Sequence, residues 1–322
     1  MRFFRGVDWR RSKPHLLLLS KFLRPHTIER YSRSDDWTAV LAERPEKAIR
    51  RFVEEGMVAE VDLSDQLDRK LTVPEIKGLL EQCDLPASGR KRELIQRLIQ
   101  ADPVRARKAV AGPALLHCTE KGRDPAERYL ADEKAERQQV ELHVLECLRQ
   151  RKLREASMAV ASFESKQVFP RGLNVDWKNY DPRHEISVLT HVFSGKPKAL
   201  ADVDDLRLEP VRIAAAMFHL CGPNQGKGWL PTGVSLSLQW DDERVVDMLF
   251  SYGVFRANIE QYEQMGVRWV KVLGCNDDLV CGACAKLQSR RHRITEVPEL
   301  PYQKCTSDTG CRCTVVSAPE QI

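Results

Sequence analysis

Apolar residues recur at three- and four-residue spacings along most of the chain, which is the period of a helix with one buried face. From Trp37 to Val61 that spacing is kept by Val40, Leu41, Ala48, Ile49, Phe52 and Val53, with Gly56 as a stop signal. Asp124-Pro125 marks the start of a long charged helical stretch, the aspartate as cap and the proline in the first helical position. The stretch is predicted to run as two helices to about Lys166, with Val140, His143, Val144, Cys147 and Leu148 as its stripe. Asp181-Pro182 repeats the start signal for a helix carrying Ile186, Leu189 and Val192. Further helices are predicted over Leu206–Leu220 and from Asp241 or Asp242 towards Met265. After Gly266 the pattern changes: Val267–Leu273 reads as a strand, and from Cys275 onward turns and cysteines dominate.

The clearest local unit lies at residues 71–99. Thr72 and Glu75 have capping-box spacing, and Pro74 falls where no intrahelical hydrogen bond is lost. Ile76, Leu79 and Leu80 form one apolar face, and Leu94, Ile95, Leu98 and Ile99 form a second. Two short faces of this kind bury each other, with Leu85 filling the gap and the loop Pro86–Gly89 between them. Ser88 is a candidate cap for the second helix. The run LTVPEIKGLLEQCDLPASGRKRELIQRLI resembles the SAP motif, through its Thr-Val start, its Lys-x-x-Leu and its Ser-Gly-x-Lys-x-Glu-Leu-Ile. The resemblance implies a helix–extended loop–helix that binds double-stranded DNA with weak sequence specificity. Carried over by position, it makes Lys77, Arg90, Lys91, Arg92 and Arg97 the contact candidates, and Gly89 would let the backbone come close to a phosphate. Arg90, Lys91 and Arg92 cluster at a helix N-terminus, where the dipole already favours an anion. Glu75, Glu81, Asp84 and Glu93 nearly cancel the local charge, so binding by this unit alone is expected to be weak and salt-sensitive.

Charge adds little beyond that unit. Fifty-one lysines and arginines against 46 acids leave a net +5 over 322 residues, which permits a nucleic-acid partner without demanding one. The first 33 residues are more one-sided: nine basic residues, among them Arg2, Arg5, Arg10, Arg11 and Lys13, face only Asp8 and Glu29. They are expected to form a solvated, frayed arm, or one that touches phosphates. The apolar run Leu16–Leu19 is far too short to span a bilayer and is flanked by basic residues without a cleavage signal. An intracellular location, cytoplasmic or nucleoid-associated, with no membrane partner, is therefore expected.

That reducing setting governs the ten cysteines, six of which fall at 275 and beyond. Cys281-Gly-Ala-Cys284 is a C-x2-C knuckle, followed by Cys305 and by Cys311-Arg-Cys313. Two thiolates two residues apart in a tight turn can face one ion, and alternate strand residues such as Cys311 and Cys313 point to one side. Structural zinc is the expected cofactor, held by four of Cys281, Cys284, Cys305, Cys311 and Cys313, with Cys275 a sixth candidate. His292, in the basic cluster Arg290–Arg293, is the nearest histidine. The run WVKVLGCNDDLVCGACAKLQ with the later CRCTVV also resembles the C-terminal segment of phage Mu F-like head-morphogenesis proteins. It lacks the histidine that precedes the closing Cys-Arg-Cys there and has Cys305 in its place.

Other motifs carry less. Gly222 to Gly228 is one residue too short for a phosphate loop, His184-Glu185 and His191 miss the zinc-protease spacing, and Asp204, Asp205, Asp241 and Asp242 read as helix starts. The fold expected is mainly α and multi-domain. It comprises a basic arm with a small helical, winged-helix-like region (1–70), the SAP motif (71–101), a linker (102–123), a helical domain offering a surface to protein partners (124–266) and a β-containing cysteine-rich zinc module (267–322). The function expected is DNA binding without catalysis. The alternatives are a nuclease-like enzyme delivered by the SAP motif and a phage-derived structural protein.

Overall fold

The computed structural model describes residues 8–172, 175–222, 227–230, 237, 240–274, 280–308 and 310–318. The fold is mainly helical, with two small antiparallel sheets. The chain divides into two compact units, Met1–Ala135 and Glu136–Ile322, and the division falls inside the helix Glu120–Arg149.

In the first unit the basic N-terminal stretch is part of the core from Trp9 onward, contrary to the frayed arm expected. Leu18, Leu19 and Phe22, on and just after the helix Lys13–Lys21, are fully buried with Ile49 and Phe52 of the helix Pro45–Glu54. Trp9 meets Phe52 edge-on with ring centroids 4.9 Å apart, and its indole N–H donates to Glu55 at 3.1 Å. The basic residues there are exposed while the apolar positions between them are buried, so the charge count concealed a helix face. Arg2 and Arg5 lie outside the described residues.

A three-stranded sheet completes this core. Leu115–Cys118 is the central strand, antiparallel to His26–Thr27 on one side and Val58–Glu60 on the other. The ladder continues with Val61 N–H donating to the Leu115 carbonyl at 2.8 Å. Everything between Val61 and Leu115, the SAP-like unit included, is therefore an insertion between two paired strands. The stretch 102–123 expected as a linker holds the helix Pro103–Ala109 and this central strand. Asp102 caps that helix by accepting from the Arg105 amide at 2.9 Å. The long helix likewise starts earlier than Asp124. The hydroxyl of Thr119 accepts from Gly122 N–H at 3.3 Å, so the helix begins at Glu120 and Pro125 lies inside it. The proline was misread as a start because its flanking aspartate has the composition of a cap.

The second unit carries helices Leu153–Glu164, Arg183–Ser194, Asp205–Cys221 and Asp242–Gln264, close to the predicted spans. Asp204 and Asp241 are their caps, accepting from Leu206 N–H at 2.7 Å and Arg244 N–H at 2.9 Å. The helix Asp242–Gln264 ends at Gly266, whose φ of +73° permits the closing bond from Val267 N–H to the Tyr262 carbonyl at 2.9 Å. The chain then enters the strand Trp269–Leu273, the centre of the second sheet, between Arg291–Arg293 and Thr314–Ser317. Val270, Val272 and Val315 point inward from this sheet and are buried with Phe255 and Ile259 of the preceding helix. The cysteine-rich segment thus shares its core with that helix, rather than standing apart from residue 267.

Candidate nucleic-acid interface and metal centre

The inserted unit is a four-helix packet: Leu63–Lys70, Val73–Glu81, Lys91–Ala101 and Pro103–Ala109. Leu67, Ile76, Leu80, Leu94, Ile95, Leu98 and Ala106 form its core, all of them 0–1% exposed. Full burial of side chains of this size contributes roughly 1.5–3 kcal/mol each. Leu85 packs against the same cluster from the loop, as its apolar character suggested.

The helix Val73–Glu81 is capped at Thr72 by the predicted capping box, and the Glu75 carboxylate accepts both the Thr72 amide, at 2.6 Å, and its hydroxyl, at 2.7 Å. Those bonds hold the Glu75 carboxyl below its ordinary range. The second helix is capped at Arg90, not Ser88. Glu93 reaches back to accept the Arg90 amide at 3.0 Å. Gly89 has φ of +124°, and a Cβ there would lie 2.6 Å from the Glu93 carboxylate. Glycine is required by both the backbone conformation and the cap.

The six candidate contact positions separate into two groups. Arg90 and Arg92 are exposed beside exposed Gly89, and Lys77 is half-buried on the first helix. Lys91 instead turns inward: its Nζ lies 3.2 Å from the Asp68 carboxylate and donates to the Asp68 carbonyl, which staples the helix Leu63–Lys70 to the second helix of the motif. Arg97 donates to the Pro86 and Ser88 carbonyls, the latter at 3.1 Å, and so fixes the loop from below. Nothing in the residue pattern marks Asp68 or these carbonyls, because a backbone acceptor has no residue-type signature.

In the second unit, five cysteines converge. Cys281, Cys284 and Cys305 have sulfurs within 4.8 Å of one another, as do Cys284, Cys311 and Cys313, so Cys284 belongs to both groups. The Cys281 and Cys305 sulfurs are 3.8 Å apart, and those of Cys284 and Cys311 are 4.0 Å apart. None of the five forms a disulfide. Local structure explains the convergence. Cys281 caps the helix Gly282–Gln288, its sulfur accepting from Cys284 N–H at 3.4 Å, and this places both knuckle thiols at one helix start. Cys311 and Cys313 come from the approach to the strand Thr314–Ser317.

Burial opposes the charged form of Cys281, yet hydrogen bonds from the Thr306 and Cys284 amides outweigh it and bring the thiol down to about 6. Hydrogen bonds from Cys284 and Cys313 hold Cys311 low, while the same contact with Cys311 pushes Cys284 up. Sulfurs this close share protons, and a cation that replaces the protons removes the conflict. The cluster is a soft donor set that can hold a metal ion. His292 takes no part: it is buried, with Nε2 3.0 Å from the Leu287 carbonyl. Cys275 lies outside the described residues, as do residues 223–226 of the glycine-rich loop. Among the described residues, the close-set donor groups are all cysteine, and no helix is long and apolar enough to cross a membrane.

No curated protein and no solved structure matches the chain, and nothing in those comparisons supports the Mu F-like resemblance. One family model does match, and only over the segment whose geometry has just been described: residues 69–103 are a SAP domain.

Proposed function

We propose that the chain is a DNA-binding protein whose SAP domain grips the phosphate backbone of duplex DNA and whose C-terminal cysteines hold a structural zinc ion. The observation that carries the first half is the SAP domain at residues 69–103. Arg90 and Arg92, exposed at the start of the helix Lys91–Ala101, are the principal phosphate ligands, with Gly89 allowing close approach and Lys77 reaching from the first helix. Lys91 and Arg97 keep the domain in shape, being tied to Asp68 and to the loop carbonyls. Recognition through backbone contacts implies weak sequence preference and a steep dependence on salt.

For the second half, zinc bonded to sulfur at about 2.3 Å in a tetrahedron sets the sulfurs about 3.8 Å apart. The Cys281–Cys305 and Cys284–Cys311 separations of 3.8 and 4.0 Å fit two edges of such a figure. Cys284, common to both triplets, would be one ligand, and Cys281, Cys305, Cys311 and Cys313 would supply the other three. Zinc there supplies cross-linking between helix, loop and strand in a module with a small core. The helical middle, with Leu142 and Leu206 exposed, is the surface left for protein partners. The nuclease alternative finds no carboxylate group to support it among the described residues, since Asp204 and Asp241 serve as helix caps.

The test is binding of the purified chain to a labelled duplex over a salt series, wild type against Arg90→Ala/Arg92→Ala. Loss of two phosphate contacts lowers the salt slope by about two units. Unchanged affinity and slope would remove the SAP domain from the DNA-binding role.

A further inference from the structure

The second sheet has two faces of opposite character. Pairing aligns Trp269 with Arg293, and Lys271 with both Arg291 and Val316, while Leu273 faces Thr314. Side chains alternate across a strand, so Val270, Val272, His292 and Val315 fill the core and these seven residues form the outer face. Three of the seven residues are cations and none is a carboxylate, with Glu263 at the edge, in the concavity it lines with Trp269 and Arg293. The guanidinium carbons of Arg291 and Arg293 lie 5.4 and 5.7 Å from the centre of the Trp269 ring, which holds two of those cations in place. Lys271 and Arg293 are exposed, as is Arg290 at the strand's edge, and among the described residues no carboxylate pairs with any of these three. Leu273, 39% exposed, extends the face beyond the charges.

Lys271 stands directly opposite Arg291 on the adjacent strand, like charge against like charge. A sheet that gathers like charge on one face pays a repulsion that an anionic partner relieves. Lys271 and Arg293 are diagonal neighbours on adjacent strands, which sets them about 7–8 Å apart. Arginines ordered against an aromatic ring lose less freedom on binding than free ones, and keep the planar donor fork suited to phosphate.

We infer that the outer face of this sheet, through Lys271 and Arg293 around Trp269, is a second contact for the phosphate backbone of DNA, separate from the SAP domain. It stands on its own observations and does not need the SAP reading to hold.

The experiment uses the full chain and a labelled random-sequence duplex over a salt series, comparing wild type, Lys271→Ala/Arg293→Ala, Arg90→Ala/Arg92→Ala and the four-fold variant. Removing the two sheet cations lowers the salt slope by about two units, and the four-fold variant loses both increments. The charge-preserving pair Lys271→Arg/Arg293→Lys keeps the wild-type slope, which separates lost charge from disturbed strand packing. Metal content and near-ultraviolet circular dichroism report that the module stays folded. If only the sheet variant weakens binding, the DNA-binding role proposed for the SAP domain fails and this inference stands. A wild-type slope for Lys271→Ala/Arg293→Ala overturns it, as does binding of polyglutamate to that face in place of the duplex.

Discussion

Arg92 and Arg97 lie five residues apart on one helix and are expected to respond to truncation in opposite ways. Arg97 is anchored to the Pro86 and Ser88 carbonyls, so Arg97→Ala releases the loop. Its loss should lower stability by about 0.5–1.5 kcal/mol in urea titration, the net range for a typical hydrogen bond, since both bonds are exposed. Arg92 is exposed, and Arg92→Ala should stay within about 0.5 kcal/mol of wild type while weakening DNA binding. The motif's residue types made both look like DNA ligands. Only the fold shows which of them the loop already uses. Glu43 gives a second test at this scale. Burial opposes its charge, but hydrogen bonds from His15, 2.9 Å away, and Arg51 outweigh that and lower its pKa below the ordinary 4.5. A folded-state value below the unfolded one gives stability that is present above the unfolded pKa and is lost as pH falls through the folded one. Glu43→Gln should therefore make the acid side of the stability curve shallower below pH 4.5 by the share that Glu43 contributes, while other lowered carboxylates such as Glu75 keep the rest. An acid limb as steep as that of wild type would show that Glu43 contributes nothing there.

At the scale of elements, the helices of the second unit were legible because period and cap agree: Asp204 and Asp241 sit where the apolar stripes begin. The starts that were misplaced are those where a tertiary partner decides. Thr119 caps the long helix while its hydroxyl donates to the Gly56 carbonyl at 2.7 Å, a contact 63 residues away that no local pattern carries. The strand Leu115–Cys118 is equally quiet, four residues whose role depends on two distant strands. The cysteine cluster was legible as chemistry but not as geometry, since spacing alone does not choose among five thiols. The sulfur separations lead to a definite expectation. Cys284→Ser should abolish metal binding and loosen the module, because Cys284 belongs to both groups, whereas one of Cys281→Ser, Cys305→Ser, Cys311→Ser and Cys313→Ser should retain the metal. Metal analysis with thermal unfolding of these variants decides this, and full metal retention by Cys284→Ser would contradict the shared position of Cys284.

For the whole molecule, the SAP domain is an insertion into the first unit's sheet rather than a bead on a linker. Its two ends are tied together by the bond between Val61 and Leu115, which brings the flanking strands side by side. Replacing residues 63–110 with a short glycine-serine link should leave the N-terminal core folded, because insertions across adjacent strand ends have little influence on the ladder that brackets them. Retained cooperative unfolding by circular dichroism would bear this out, and collapse to an unfolded first unit would show that the core depends on the insert. This topology was not legible from hydrophobic period, which reports faces and lengths but not which strands pair.

We propose that the chain binds DNA electrostatically and carries zinc. The most direct test is a salt series of duplex binding by the wild-type chain, with metal content determined on the same sample. The expected result is affinity that falls steeply and log-linearly with salt, together with one zinc per chain. Absence of duplex binding at low salt by a folded, metal-loaded sample would contradict it.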